Sequence, residues 1–207
     1  MNPYRALLTG NRNYRLLWFG QIVSQLGDWF NSVALYALLL ELTGTATSVA
    51  LLIIVQFLPM AVIGPVAGVV VDRVDRRRLM IAADILRGLA VLLLLVVRRP
   101  DQVWLVYLVM GTVVSLTAFF EPARTAVIPN VTTRAELLTA NALSSATWAA
   151  RLASGAGAGG IVTALLGRNA AFLVNAASFL ASAAIIGRTS FNADPPAVKR
   201  PAGWASL

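Results

Sequence analysis

The sequence predicts an all-α integral membrane protein, a bundle of six transmembrane helices, and three observations carry that prediction. Of 207 residues 58% are hydrophobic and only 13% are charged, about half the charge of a water-soluble domain. Six apolar runs approach or exceed the roughly 20 residues a helix needs to cross a bilayer. The basic residues fall mainly between those runs, and mostly on one side of them.

Residues 1–15 form a short basic segment carrying Arg5, Arg12 and Arg15. The first span, about 16–42, is too long for a cleaved leader and lacks a processing site, so it is expected to remain as a helix. The second span covers 48–71 and the third 79–97. The fourth covers 103–120, the fifth 137–166 and the sixth 170–187. The second, fourth and sixth carry no charge; the first holds Asp28, the third Asp84 and Arg87, and the fifth Arg151. Residues 188–207 are polar and contain Pro195, Pro196 and Pro201, the composition of a cytoplasmic linker or tail.

Orientation is set by the side on which cations lie. With the N-terminus in the cytoplasm, the inner segments hold Arg5, Arg12, Arg15, Arg73, Arg76–Arg78, Arg124, Arg134, Arg188, Lys199 and Arg200. The outer loops hold only Arg98, Arg99 and Arg168. Both termini are therefore expected on the cytoplasmic side of the cell membrane. The same bias accounts for the net charge of +8 without a nucleic-acid partner.

The chain has no histidine and no cysteine. That excludes histidine-ligated haem, Ser-His-Asp triads, thiol nucleophiles and disulfides, and with them the usual zinc sites. It has no Walker loop either. No cofactor, no metal and no enzymatic activity are expected.

Polar residues inside the spans are placed by helical periodicity. Gln21, Gln25, Asp28 and Ser32 share one face of the first helix. Asp28 lies twelve residues into the span, about 18 Å deep. Asn141, Ser145, Trp148 and Arg151 form a stripe on the fifth helix, and Asn175, Ser178 and Ser182 one on the sixth. Such stripes either meet in a water-accessible cavity or bond helices together. A mid-membrane charge costs at least about 2.5–3.5 kcal/mol, so Asp28 and Arg151 are expected at similar depth, facing a cavity and available to pair. Asp84 and Arg87, three apart, can neutralise each other along one helix face or serve a transport pathway.

The second helix ends Gly64-Pro65-Val66-Ala67-Gly68-Val69-Val70-Val71-Asp72-Arg73-Val74-Asp75-Arg76-Arg77-Arg78. Gly64, Gly68 and Asp72 recur every four residues on one face, where small residues permit close helix approach. Asp72 closes a helix C-terminus, a poor place for an anion unless cations are near. This stretch resembles the signature of the major facilitator superfamily, G-x-x-x-D-R-x-G-R-R, in Gly68, Asp72, Arg73, Arg76 and Arg77, with Asp75 in place of a glycine. Phe120-Glu121-Pro122-Ala123-Arg124-Thr125-Ala126-Val127-Ile128-Pro129, then Glu136-Leu137-Leu138 and Ala140-Asn141-Ala142-Leu143, resemble the connection from fourth to fifth helix in the drug-efflux branch of macrolide and enterobactin exporters. The resemblance runs from about Asn13 to Gly187.

What the resemblance implies is one six-helix half of an alternating-access transporter, compatible with a three-plus-three inverted repeat. It implies efflux of a hydrophobic small molecule coupled to protons, with Asp72 and the arginines as a cytoplasmic latch against a second half. In Gly155-Ala156-Gly157-Ala158-Gly159-Gly160, Ala156 replaces the proline of the family's antiporter signature, which leaves the direction and the coupling of transport open. The second half is expected in a longer chain, a separate chain or a second copy; a truncated inactive half and a permease subunit of an ATP-driven transporter are the alternatives.

Overall fold

A computed structural model describes residues 2–190, except for the side chains of residues 152, 154, 155, 156, 158 and 162. Its described residues form seven α-helices and two short 3₁₀ turns, without a strand. Lys199, Arg200 and the prolines 195, 196 and 201, expected in a cytoplasmic tail, lie outside the described residues.

Helix α1 (Pro3–Gly10) is a short helix before the first span. Its Asn2 side chain accepts from the Tyr4 N–H at 3.1 Å and Pro3 fills the first turn, where no N–H is needed. Helix α2 (Arg12–Thr43) starts the same way, with Asn11 accepting from the Tyr14 N–H, and ends on Gly44 at φ 65°. That left-handed cap favours glycine over any residue with a Cβ.

Helix α3 (Ala46–Val71) runs through Pro59 and Pro65. Helix α4 (Arg76–Leu92) is capped by Asp75 and tightens into a 3₁₀ turn over Leu93–Val96. Helix α5 (Val103–Val131) extends well past the expected end at 120, through Pro122 and Pro129. Inside a packed bundle a proline's freed carbonyl can find other partners, so it need not end the helix. Helix α6 (Arg134–Leu166) opens with a reciprocal Thr133–Glu136 capping box. Gly167, at φ 79°, turns the chain into α7 (Arg168–Ile186).

The six long helices, α2 to α7, correspond to the six expected spans. Four of these segments are long and apolar enough to cross a membrane by length and composition alone: Ala46–Val71, Arg76–Val96, Pro100–Val131 and Arg168–Ile186. Helices α2 and α6 are the longest but carry the polar stripes that lower their hydropathy.

Packing couples α2 to α6 and α7, and α5 to α3 and α4, while α4 also packs on α7. Exchanging α2, α3, α4 for α5, α6, α7 maps this contact pattern onto itself. A two-fold relation between triplets produces that pattern, and three helices per triplet invert the second relative to the first. One apolar core joins Leu35, Leu38, Val91, Val106, Phe172 and Phe179 in one half of the bundle. A second joins Leu17, Val71, Met80, Phe120, Val127 and Ile186 toward the signature end. Leu7 anchors α1 there beside Tyr14, whose hydroxyl donates to the Ala140 carbonyl at 2.9 Å.

The sixth-helix stripe goes to packing. Asn175, Ser178 and Ser182 are buried, and a Cβ at Gly27 or Gly20 of α2 would meet them. They pack closely against the glycines of α2, Ser178 bonds to Asn175 within α7 at 2.8 Å, and none of the three lines the cavities described below.

Candidate functional site

A polar cavity of about 520 Å³ opens between α2, α4, α5 and α6. Helix α2 supplies Gln21, Ser24, Gln25 and Asp28, one face of its 3.6-residue period. Helix α6 supplies Ser144, Ser145, Trp148 and Arg151 opposite. Arg87 enters from α4, Thr117, Glu121 and Arg124 from α5, and Met60 from α3. Of the residues expected along a pathway, the cavity gathers Gln21, Gln25, Asp28, Arg87, Trp148 and Arg151. Asn141 is exposed and lies off its wall, and Asp84 is fully buried behind it.

Asp84 pairs with Arg87 on the same helix, both almost fully buried. The guanidinium of Arg87 is held between two rings, 4.4 Å from the centre of Phe120 and 4.5 Å from that of Phe179. Its other contact is the Thr117 hydroxyl at 3.3 Å. This is a neutralised pair with a cation–π clamp, so the cation is fixed in place while one edge reaches the cavity.

Glu121 and Arg124 repeat the device one helix over. Arg124 donates through Nε and Nη2 to Glu121 Oε2 at 3.1 and 2.9 Å, and through Nη1 to Gln21 Oε1 on α2 at 3.0 Å. By sequence both residues fall in the connection after the fourth span, which is expected to end at 120. Their i, i+3 spacing, the same as that of Asp84 and Arg87, is the signal that was present.

Asp28 and Arg151 line the same cavity, yet no ion pair joins them among the described residues. Gln25 is only 7% exposed. Its Oε1 and the Nε of Arg151 are buried without a hydrogen-bond partner.

The signature residues form a separate cluster at the end of the bundle where α3 turns into α4. Asp72 accepts from Arg76 Nη2 at 3.3 Å, with Arg76 buried and Asp72 largely exposed. Asp75 stands where the motif has glycine because it caps α4, accepting from the Arg78 N–H at 3.0 Å. No left-handed backbone is used in that turn. Arg77 reaches the carbonyls of Ile186 and Gly187 at the end of α7. Arg73 is exposed. A Cβ at Gly64 or Gly68 would meet nothing within 4 Å, so the small-residue face of α3 is open in this chain. The side-chain surroundings of Gly155, Ala156 and Ala158 lie outside the described residues.

The chain matches the transmembrane secretion effector family over residues 6–201. It is 27% identical over 183 residues to an uncharacterized MFS-type transporter, YfiS, of Bacillus subtilis, covering 88% of this chain and 43% of that protein. It is 32% identical over 178 residues to the putative bacilysin exporter BacE of Bacillus amyloliquefaciens, covering 85% and 44%. With macrolide efflux protein A of Streptococcus pyogenes it shares 38% identity over 115 residues, 55% of this chain and 28% of that one. No solved structure matches it. The chain spans under half the length of these relatives. Its signature turn, its six-helix bundle and the near-full-length family match make it a member of the transmembrane secretion effector family of the major facilitator superfamily.

Proposed function

We propose that this chain is one six-helix half of a secondary transporter that exports a small molecule by alternating access, with proton movement coupled through Asp28. The observation that carries the reading is the open polar cavity. It brings Asp28, Glu121, Arg87, Arg124 and Arg151 to one surface of a membrane bundle. Lipid cannot face that surface, because each unpaired charge at depth costs several kcal/mol. A second six-helix unit covering the cavity removes that cost and creates a central pathway.

Other features agree with that arrangement. The exposed apolar residues of α3, among them Ile54, Phe57, Val62 and Val66, flank open glycines and suit either lipid or a second unit. Residues 1–15 and 188–207 are read as cytoplasmic segments around the domain of residues 16–187, the latter leading toward the second half. Reciprocal bonds between Asn13 and Ser190, at 3.0 and 3.1 Å, hold the exit from α7 beside the start of α2. The names of the exporter relatives support efflux of a small antibiotic-like compound.

The test is export from vesicles carrying this chain with its second half, across a panel of hydrophobic compounds and an imposed proton gradient. The reading predicts gradient-driven efflux of at least one compound, lost in Asp28→Asn. Efflux that is unaffected by the gradient and by Asp28→Asn would remove proton coupling; absence of any efflux would remove the transporter reading.

A further inference from the structure

The charges around the cavity are resolved unevenly. Asp84 is paired with Arg87 within α4, and Glu121 with Arg124 within α5. That leaves one acid and one arginine. Asp28 on α2 and Arg151 on α6 share the wall; no ion pair among the described residues holds either, and Arg151 Nε is buried without a hydrogen-bond partner. The unsatisfied Gln25 Oε1 lies one turn from Asp28 on the same helix face. Separated opposite charges in a low-dielectric site attract ligands carrying the complementary pair.

A second cavity adjoins this one. It measures about 280 Å³, lies between α2 and α6, and has Gln25 and Arg151 in its lining as well. Its other walls are Trp18, Ile22, Leu26, Thr147 and Ala150. The Trp18 indole N–H is spent on the Thr147 hydroxyl at 2.9 Å, and that hydroxyl in turn donates to the Leu143 carbonyl at 2.7 Å. The cleft therefore offers an apolar surface that meets the charged cavity at Gln25 and Arg151.

We propose that these two cavities form one binding site for an amphipathic zwitterion. Its ammonium group sits on the Asp28 carboxylate with Gln25 Oε1 accepting a further N–H, its carboxylate takes the forked donors of Arg151, and its apolar side group fills the α2–α6 cleft. A bidentate guanidinium–carboxylate contact gives orientation as well as strength. This inference names the substrate class for the transporter reading above and rests on that reading for the export step, but the binding itself does not depend on transport.

The experiment uses the chain assembled with its second half in lipid nanodiscs and three probes: the dipeptide leucyl-phenylalanine, its N-acetyl derivative and its C-terminal amide. Binding is read from tryptophan fluorescence, since Trp148 borders the cavity and Trp18 the cleft. The zwitterion is expected to bind about tenfold or more tighter than either singly charged derivative, the scale of one lost charged hydrogen bond. Asp28→Asn should abolish the preference over the N-acetyl form, and Arg151→Gln the preference over the amide. The probe series on the unaltered chain reads the preference even where a variant folds poorly. Equal binding of the three probes, tighter binding of the amide, or binding of none overturns the inference. Efflux of other compounds without any zwitterion preference overturns it while leaving the transporter reading intact; zwitterion binding with no efflux of anything does the reverse.

Discussion

Arg77, in the first turn of α4, donates through its guanidinium to the carbonyl oxygens of Ile186 and Gly187 at the C-terminal end of α7. The Ile186 carbonyl also accepts from the Thr189 N–H at 3.0 Å and from its hydroxyl at 2.6 Å, and a cation at this helix end complements the helix dipole. One arginine of the signature thus fastens two helices of this chain together, a task separate from any contact with a second half.

Arg77→Ala should lower the stability of the purified chain by about 1–2 kcal/mol, the scale of a partly exposed charged hydrogen bond. Arg73→Ala, at an exposed position, should change it by less than about 0.5 kcal/mol. Thermal midpoints of both variants in one detergent check this; equal shifts would contradict the capping role.

Arg87→Leu should be among the most damaging single changes, about 3–5 kcal/mol, because it strands a fully buried Asp84. Arg87→Lys should restore little, since an ammonium cannot span Asp84, Thr117 and both rings. The double variant Asp84→Leu, Arg87→Leu should be more stable than either single one. A denaturation cycle over the four proteins gives the answer.

The glycines divide into two kinds. A Cβ at Gly27 would fall 2.7 Å from Asn175 Oδ1 and closer still to Ser178, and one at Gly159 would fall 2.9 Å from the Trp29 carbonyl. Alanine at either should cost about 1–3 kcal/mol by forcing α2 from its neighbours. Alanine at Gly64 or Gly68 should leave this chain's thermal midpoint unchanged, because the space is open. If those two substitutions reduce efflux without altering the midpoint, the α3 face is used by a second unit.

Glu136 supplies the pH dependence. Hydrogen bonds from the Thr133 N–H at 2.9 Å and its hydroxyl at 3.1 Å hold the carboxyl below its usual pKa, against a smaller opposing effect of burial. A depressed folded-state value stabilises the helix start above the ordinary glutamate pKa of about 4.3. That contribution disappears as pH falls through the lower folded value. The protection of amides at the start of α6, measured relative to the intrinsic exchange rate at each pH, should therefore be high at neutral pH and fall below about pH 4. Thr133→Ala should already lower it at neutral pH.

Helix α2 shows how far sequence periodicity reaches: the i, i+4, i+7 spacing puts Gln21, Gln25 and Asp28 on one face, and all three line one cavity, since one helix fixes which side chains share a face. Of the fifth-helix stripe, Trp148 and Arg151 line the cavity and Asn141 does not, because spacing sets the face and not how far along the helix the cavity reaches. Glu121 and Arg124 escaped because the apolar run ends at Phe120, whereas the bundle holds α5 helical through Pro122 and Pro129. The burial of Asn175 and Ser182 also could not be read from α7 alone. It depends on Gly20 and Gly27 of α2, at the far end of the chain, and such a match is a tertiary property.

The central claim is that Asp28 and Arg151 face a water-accessible cavity. The chain has no cysteine, so Asp28→Cys and Arg151→Cys introduce single thiols without background. In membranes, a small charged thiosulfonate should modify both positions. Modification of both only by a lipophilic maleimide, with none by the charged reagent, would place them against lipid and contradict the account.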